Sequence, residues 1–222
     1  MTRMVMLVVL AASWGLGVAP AVAANRLPAD VPPPSHHTIP DYIDVVGRGP
    51  DGRPDSTRGT FVIVIRDMGN NPIPGAQVIV DLGGCPDIQI DRQQWPSLIA
   101  DCPTKTVRRF TDANGRATFC IVGAGANLGG APGPGAGCVS VQVDGMGVKQ
   151  LTATATDENG GVTNPGVDLT DIRACLLDWG SGQYFGRSDF DHDGLLGLPD
   201  LIVLLRVWGS GTSVFGPNAL CP

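Results

Sequence analysis

The sequence predicts a mainly β protein, an antiparallel β-sandwich followed by a small α-helical domain built on two twelve-residue loops. Three observations carry this. Seven short runs of alternating or β-branched residues follow one another between residues 42 and 156 with no helical period between them. The 222 residues include 31 Gly and 19 Pro, the composition of a turn-rich β chain. After Asn159 the apolar spacing changes from two residues to the i, i+3, i+4, i+7 of a helix, and does so twice.

In chain order, residues 1–23 read as a signal peptide. Arg3 gives a positive start, Val5 to Leu10 an apolar stretch, and Ala21-Val22-Ala23 an A-x-A cleavage site. The apolar stretch is too short to span a bilayer, and no other segment approaches that length. An exported, extracellular or cell-surface protein is expected. Residues 24–41, with Pro32-Pro33-Pro34, read as an extended tether.

The strands expected in the 42–156 region start with Tyr42 to Val46 and Thr60 to Arg66. Ala76 to Leu82 follows a turn at Asp67 to Pro72. Thr106 to Thr111 and Arg116 to Val122 flank the hairpin turn Asp112-Ala113-Asn114-Gly115, whose Asn-Gly pair suits positive φ. In the returning strand Ala117, Phe119 and Ile121 share one face. Residues 123–137 read as a flexible Gly/Pro loop, and Cys138 to Val143 and Leu151 to Thr156 complete the set. Val64-Ile65-Arg66-Asp67 before Asn71-Pro72-Ile73-Pro74-Gly75-Ala76, with Thr111 to Phe119, resembles the immunoglobulin-like domains of bacterial surface and secreted proteins. That likeness implies a fold and no activity.

Six cysteines in an exported chain suggest three disulfides, for which sequence alone permits fifteen pairings. Pairing between neighbours is expected: Cys85–Cys102, Cys120–Cys138 and Cys175–Cys221. Each of the first two would close a loop worth roughly 3 kcal/mol when cross-linked. Zinc is disfavoured, because no cysteines stand at CxxC spacing and the histidines lie elsewhere.

Residues 157–212 form a duplication. Val167 to Gly182 aligns with Leu196 to Gly211 at an offset of 29 residues, and both copies end in Trp-Gly-Ser-Gly. Ile172, Cys175, Leu176 and Trp179, and Leu201, Leu204, Leu205 and Trp208, mark one apolar face on each helix, so the two should pack together with their tryptophans in the core. Residues 213–222 are a tail.

The second loop, Asp189 to Asp200, carries acids at positions 1, 3, 5 and 12: Asp189, Asp191, Asp193 and Asp200. Gly194 stands at position 6, where the chain must turn sharply. The backbone carbonyl of Leu195 would serve at position 7, water at Gly197, and Leu196 would anchor the loop. This alternation is the one by which a single turn of chain surrounds Ca²⁺ with oxygens. His192, at position 4, is expected to point to water. In the first loop, Gly160 to Asp171, Gly160 and Val162 replace the first two acids, leaving Asn164, Asp168 and Asp171 as a degenerate second site.

Duplicated loops with Asp at position 12, each feeding one helix, resemble the repeats of type I dockerin domains. The resemblance implies Ca²⁺-dependent folding and docking onto a partner module, in the best-known systems a cohesin of a cellulose-degrading complex. The recognition positions of dockerins are Leu169-Thr170 and Leu198-Pro199 here, not the usual small hydroxyl residues. A cohesin-like module or another protein partner is the expectation.

No catalytic constellation emerges, and a non-enzymatic attachment protein is expected. His36-His37 falls in the tether, and nucleophile-elbow, Walker and HExxH motifs are absent. Asp87, Asp91 and Asp101 flank Trp95 in the 83–105 excursion, a pattern that glycoside chemistry could use but a surface loop explains more simply. An accessory role in binding or degrading polysaccharide is the alternative. With 15 Lys+Arg against 21 Asp+Glu, the charge of −6 disfavours nucleic acid.

Overall fold

A computed structural model describes residues 36–48, 52–125, 137–156, 167–207 and 221. The leader 1–23, most of the tether, Asn164 with its neighbours in the first loop, and Trp208 lie outside the described residues. The described chain is mainly β. Its strands are β1 (Tyr42–Val45), β2 (Thr60–Val64), β3 (Gln77–Asp81), β4 (Ile88–Ile90), β5 (Ile99–Asp101), β6 (Thr106–Phe110), β7 (Arg116–Cys120), β8 (Gly123–Gly125), β9 (Val139–Val143) and β10 (Met146–Ala155). A short helix, α1 (Ser56–Gly59), precedes β2, and α2 (Leu169–Gly180) and α3 (Leu198–Val207) form the C-terminal part.

Six strands pair in the order β1-β10-β9-β3-β6-β5, while β2-β7 and β4-β8 form two-stranded sheets. The alternation read from sequence places side chains as expected. Val78 and Val80 of β3, Val139, Val141 and Val143 of β9, and Ala117, Phe119 and Ile121 are buried in one core, which Ile63 and Ile65 complete from the β2 side. The hairpin Asp112 to Gly115 also forms. Asp112 accepts hydrogen bonds from the Asn114 and Arg116 amides, and Gly115 has φ 69°. A Cβ at Gly115 would stand 2.5 Å from the Ile65 carbonyl oxygen, so glycine is required there twice over.

Three expectations change. β1 pairs with β10 in parallel, Ile43 opposite Ala153 and Val45 opposite Ala155, so the strands are not uniformly antiparallel. The first and last strands share no hairpin, and nothing in their connection forces an antiparallel register. Gly123–Gly125, expected as the start of a flexible loop, is β8 and pairs with Ile88–Ile90. The end of the tether is docked: Thr38 bridges to Val64, Ile39 is buried, and His37 Nδ1 accepts from the Arg66 amide.

The cysteine pairing is also corrected. The disulfides are Cys85–Cys138 and Cys102–Cys221, not Cys85–Cys102, Cys120–Cys138 or Cys175–Cys221. Strand register is the reason. Asp81 opposes Ser140 in the β3/β9 pair, so the chain leaving β3 meets the chain entering β9, and Cys85 lands on Cys138. Cys221 returns to the β-sheet part, where its amide donates to the Ile90 carbonyl and its sulfur meets the end of β5. The tail thus ends in the β core. Cys120 is a buried thiol whose pKa burial pushes up to about 11, and Cys175 is buried between the helices.

Helix α2 is capped by its own sequence. Asp168 is the N-cap of α2, where its side chain accepts from the Thr170 amide and Asp171 reaches back to the Asp168 amide. The inward face is narrower than the spacing suggests. Ile172, Cys175, Phe190 and Leu204 are buried together with Val167, Leu201, Val203 and Val207 against them, whereas Leu176, Trp179 and Leu205 are exposed. Trp179 is therefore not a core residue.

Candidate metal centre

The loop from Asp189 to Asp200 is shaped by its own aspartates. Asp189 accepts from the amides of Asp193 (3.2 Å) and Gly194 (3.1 Å). Asp191 accepts from Asp193 at 3.3 Å, and Asp193 from Leu195 at 2.8 Å. Each short acid satisfies an amide two to five residues ahead, which curls the chain. Gly194 takes φ 83° where the turn is sharpest, and His192 takes φ 64°, a conformation histidine tolerates better than most side chains.

The curl brings one carboxylate oxygen from each of Asp189, Asp191 and Asp193 within 4.8 Å of one another. These are three of the predicted ligands. Asp189 is buried and held from below by the Tyr184 hydroxyl, which donates to its Oδ2 at 2.6 Å. Burial first, then that bond to a carboxylate, pushes the Tyr184 phenol up, so the donor stays protonated. Three hard oxygens at this spacing, with two of the three acids exposed, suit a cation that takes oxygen ligands and water. Leu195 is exposed, and its amide donates to Asp193.

The fourth predicted ligand, Asp200, stands apart from this group. Its Oδ1 accepts from the amides of Phe190 (2.7 Å) and Asp191 (3.2 Å), and its Oδ2 from Gly197 at 2.8 Å. Burial pushes its carboxyl above the usual carboxylate range, although those three amides favour the charged form. Asp200 thus ties both ends of the loop to the start of α3. In the first copy, Asp168 and Asp171 are engaged in the capping box of α2, and Asn164 lies outside the described residues.

His192 corrects its expectation. Its ring stacks on Tyr42, with centroids 4.7 Å apart and planes within 8°. Its Nε2 lies 3.1 Å from Asp44 Oδ1 on β1. Asp44 also accepts from Thr154 and pairs with Arg58 at 3.6 Å. Burial alone would raise the Asp44 pKa, but the bonds from His192 and Thr154 and the Arg58 charge outweigh it and hold the carboxyl below its usual value.

The acids of the 83–105 excursion are tied to other parts of the fold. Asp91 pairs with Arg48 at 3.1 Å, Asp87 lies 3.9 Å from Arg187, and both are buried. Asp101 is exposed on β5, and Trp95 is half-buried. Among the described residues, these acids do not gather around the tryptophan as a carboxylate pair for glycoside chemistry would. Sequence reasoning missed Tyr184 and Phe190. An aromatic at the non-acidic position between two aspartates, Phe190, was the available signal for a buried anchor.

Among the described residues no helix is long and apolar enough to cross a membrane. Comparison of the chain with protein-family models, with curated proteins and with solved structures finds no match.

Proposed function

We propose that this chain is an exported, non-catalytic modular protein. In this reading an immunoglobulin-like β part is structural or displays loops, and a dockerin-like loop–helix repeat holds one Ca²⁺ and serves attachment to a partner protein. The observation that carries the metal reading is the convergence of Asp189, Asp191 and Asp193 within 4.8 Å, on a loop whose sequence follows the acidic alternation of calcium-binding turns. Calcium would act there as a staple, neutralising three carboxylates that otherwise repel one another. The first copy lacks acids at its first and third loop positions, so a single site is the reading the residues support. Two disulfides fit an oxidising compartment outside the cytosol.

Calorimetric titration of the EDTA-stripped protein with CaCl₂ is expected to show one site. Asp193→Ala is expected to abolish it while leaving the metal-free fold intact, because that exposed side chain caps only the Leu195 amide. Absence of binding heat, together with no change in melting temperature on adding calcium, overturns the metal reading. Attachment is tested separately, by capture of a protein from culture supernatant that is lost in EDTA and with Asp193→Ala.

A further inference from the structure

β10 carries the first observation. Leu151, Ala153 and Ala155 point into the β core, so the alternating Thr152, Thr154 and Thr156 belong to the outer face, where threonine ordinarily meets water. They are instead 5 %, 0 % and 6 % exposed. What covers Thr152 is the 3-10 turn Gly186–Ser188, immediately before the acidic loop. At Gly186 a Cβ would stand 2.6 Å from Thr152 Cγ2. The φ of Gly186 is not in the left-handed region, so glycine there serves close approach between the two parts, not a special backbone conformation.

The next two residues extend the junction. Arg187 binds Asp178 of α2 through Nε at 2.9 Å and Nη2 at 2.8 Å, and its Nη1 lies 3.9 Å from Asp87 of the β part. Ser188 Oγ donates to Asp178 at 2.6 Å. All four side chains are buried. A guanidinium between one carboxylate from each part, all removed from water, is stable only while both parts are in place. On the far side of the turn, His192 stacks on Tyr42 and meets Asp44, beside Thr154.

The helical pair by itself offers little to hold it together. Among the described residues its core has four buried side chains, Ile172, Cys175, Phe190 and Leu204, a small core of the kind that gains from docking onto a larger one. We propose that the loop–helix repeat is not a freely swinging module but is latched onto β10 through the Gly186–Thr152 contact and the Arg187 cluster, and that it draws its stability from this docking. The latch is independent of any cation in the loop, and it closes the Gly186 and His192 face of the repeat to an outside partner.

The test uses the full chain with its disulfides intact, in EDTA and again in calcium, and follows amide hydrogen exchange by mass spectrometry. Gly186→Ala wedges a methyl against Thr152. It is expected to speed exchange in α2 and α3 by about tenfold, while β3 and β9 exchange as in the wild type. Thr152→Ser deletes the opposing Cγ2 and keeps the hydroxyl. Added to Gly186→Ala, it is expected to return α2 and α3 to within about twofold of wild type. Unchanged exchange in Gly186→Ala, or an acceleration that Thr152→Ser does not reverse, overturns the proposal. The result in EDTA stands whether or not calcium binds.

Discussion

The two copies of the repeat make the same contact at loop position 12 and build different things on it. In the first, Asp171 Oδ2 accepts from the Asp168 amide at 2.7 Å. In the second, Asp200 Oδ2 accepts from the Gly197 amide at 2.8 Å. Both aspartates are buried at the entry of a helix. The acid that pattern reading assigns to a metal therefore has, in each copy, a role that needs none: it closes the first turn. In the second copy the other oxygen of Asp200 reaches back to the amides of Phe190 and Asp191 and fixes the start of the loop; the corresponding stretch of the first copy lies outside the described residues. Three further carboxylates can then converge. The first copy has Gly160 and Val162 at the corresponding positions, and no such convergence can form from side chains it does not have.

The second copy is also bracketed by anchors to the β part, and the largest expected effect comes from cutting the one beyond it. Cys221→Ser removes the Cys102–Cys221 bridge, which spans 119 residues. On a chain-entropy estimate it costs about 5 kcal/mol, read as a fall in the urea midpoint under non-reducing conditions. A loss no larger than that of a surface substitution would mean that the end of the chain does not hold the repeat.

Removing the shared contact separates the copies more finely. In EDTA, Asp200→Ala leaves three amides without their acceptor and is expected to destabilise the protein by about 3 kcal/mol. Asp171→Ala, at a capping box, is expected to cost about 1 kcal/mol. Equal losses in denaturant titrations would show that the second oxygen of Asp200 adds nothing to stability.

The smallest effect concerns the contact of the second copy with β1. The pKa of Asp44 is lowered in the fold, so its ionisation stabilises the protein. That contribution is fully present above the ordinary aspartate value of 3.8 and is lost as pH falls through the lowered one. Asp44→Asn is expected to flatten the acid limb of a stability profile below about pH 4. A wild-type slope in the variant would show that the His192, Thr154 and Arg58 contacts do not favour the charged carboxylate.

Strands whose own alternation sets their burial were legible in the sequence: β3, β6, β7 and β9 lie where the period of two put them. The three-residue strands β4, β5 and β8 were not. Each is too short to show a period, and each exists because a neighbour offers its backbone. The gathering of Asp189, Asp191 and Asp193 was legible for a related reason, since the bonds these three acids themselves make to the loop amides span five residues or fewer. The hydrogen bonds of Asp200 to Phe190 and Asp191 were not legible, because these partners lie up to ten residues away, across the loop.

The sequence by itself determined the mainly β character, the β3 and β9 cores, the duplicated helices, and the acidic turn. All of these depend on interactions within a few residues, or on a period that one segment displays alone. Tertiary structure decided the parallel β1–β10 pair, the Cys85–Cys138 and Cys102–Cys221 bridges, and the seating of Gly186, Arg187 and His192 against the β part. These join residues far apart in the chain, the two disulfides at separations of 53 and 119 and Asp44 with His192 at 148. At such separations the partner is chosen by how whole sheets and helices pack, a choice that no local pattern in the chain records.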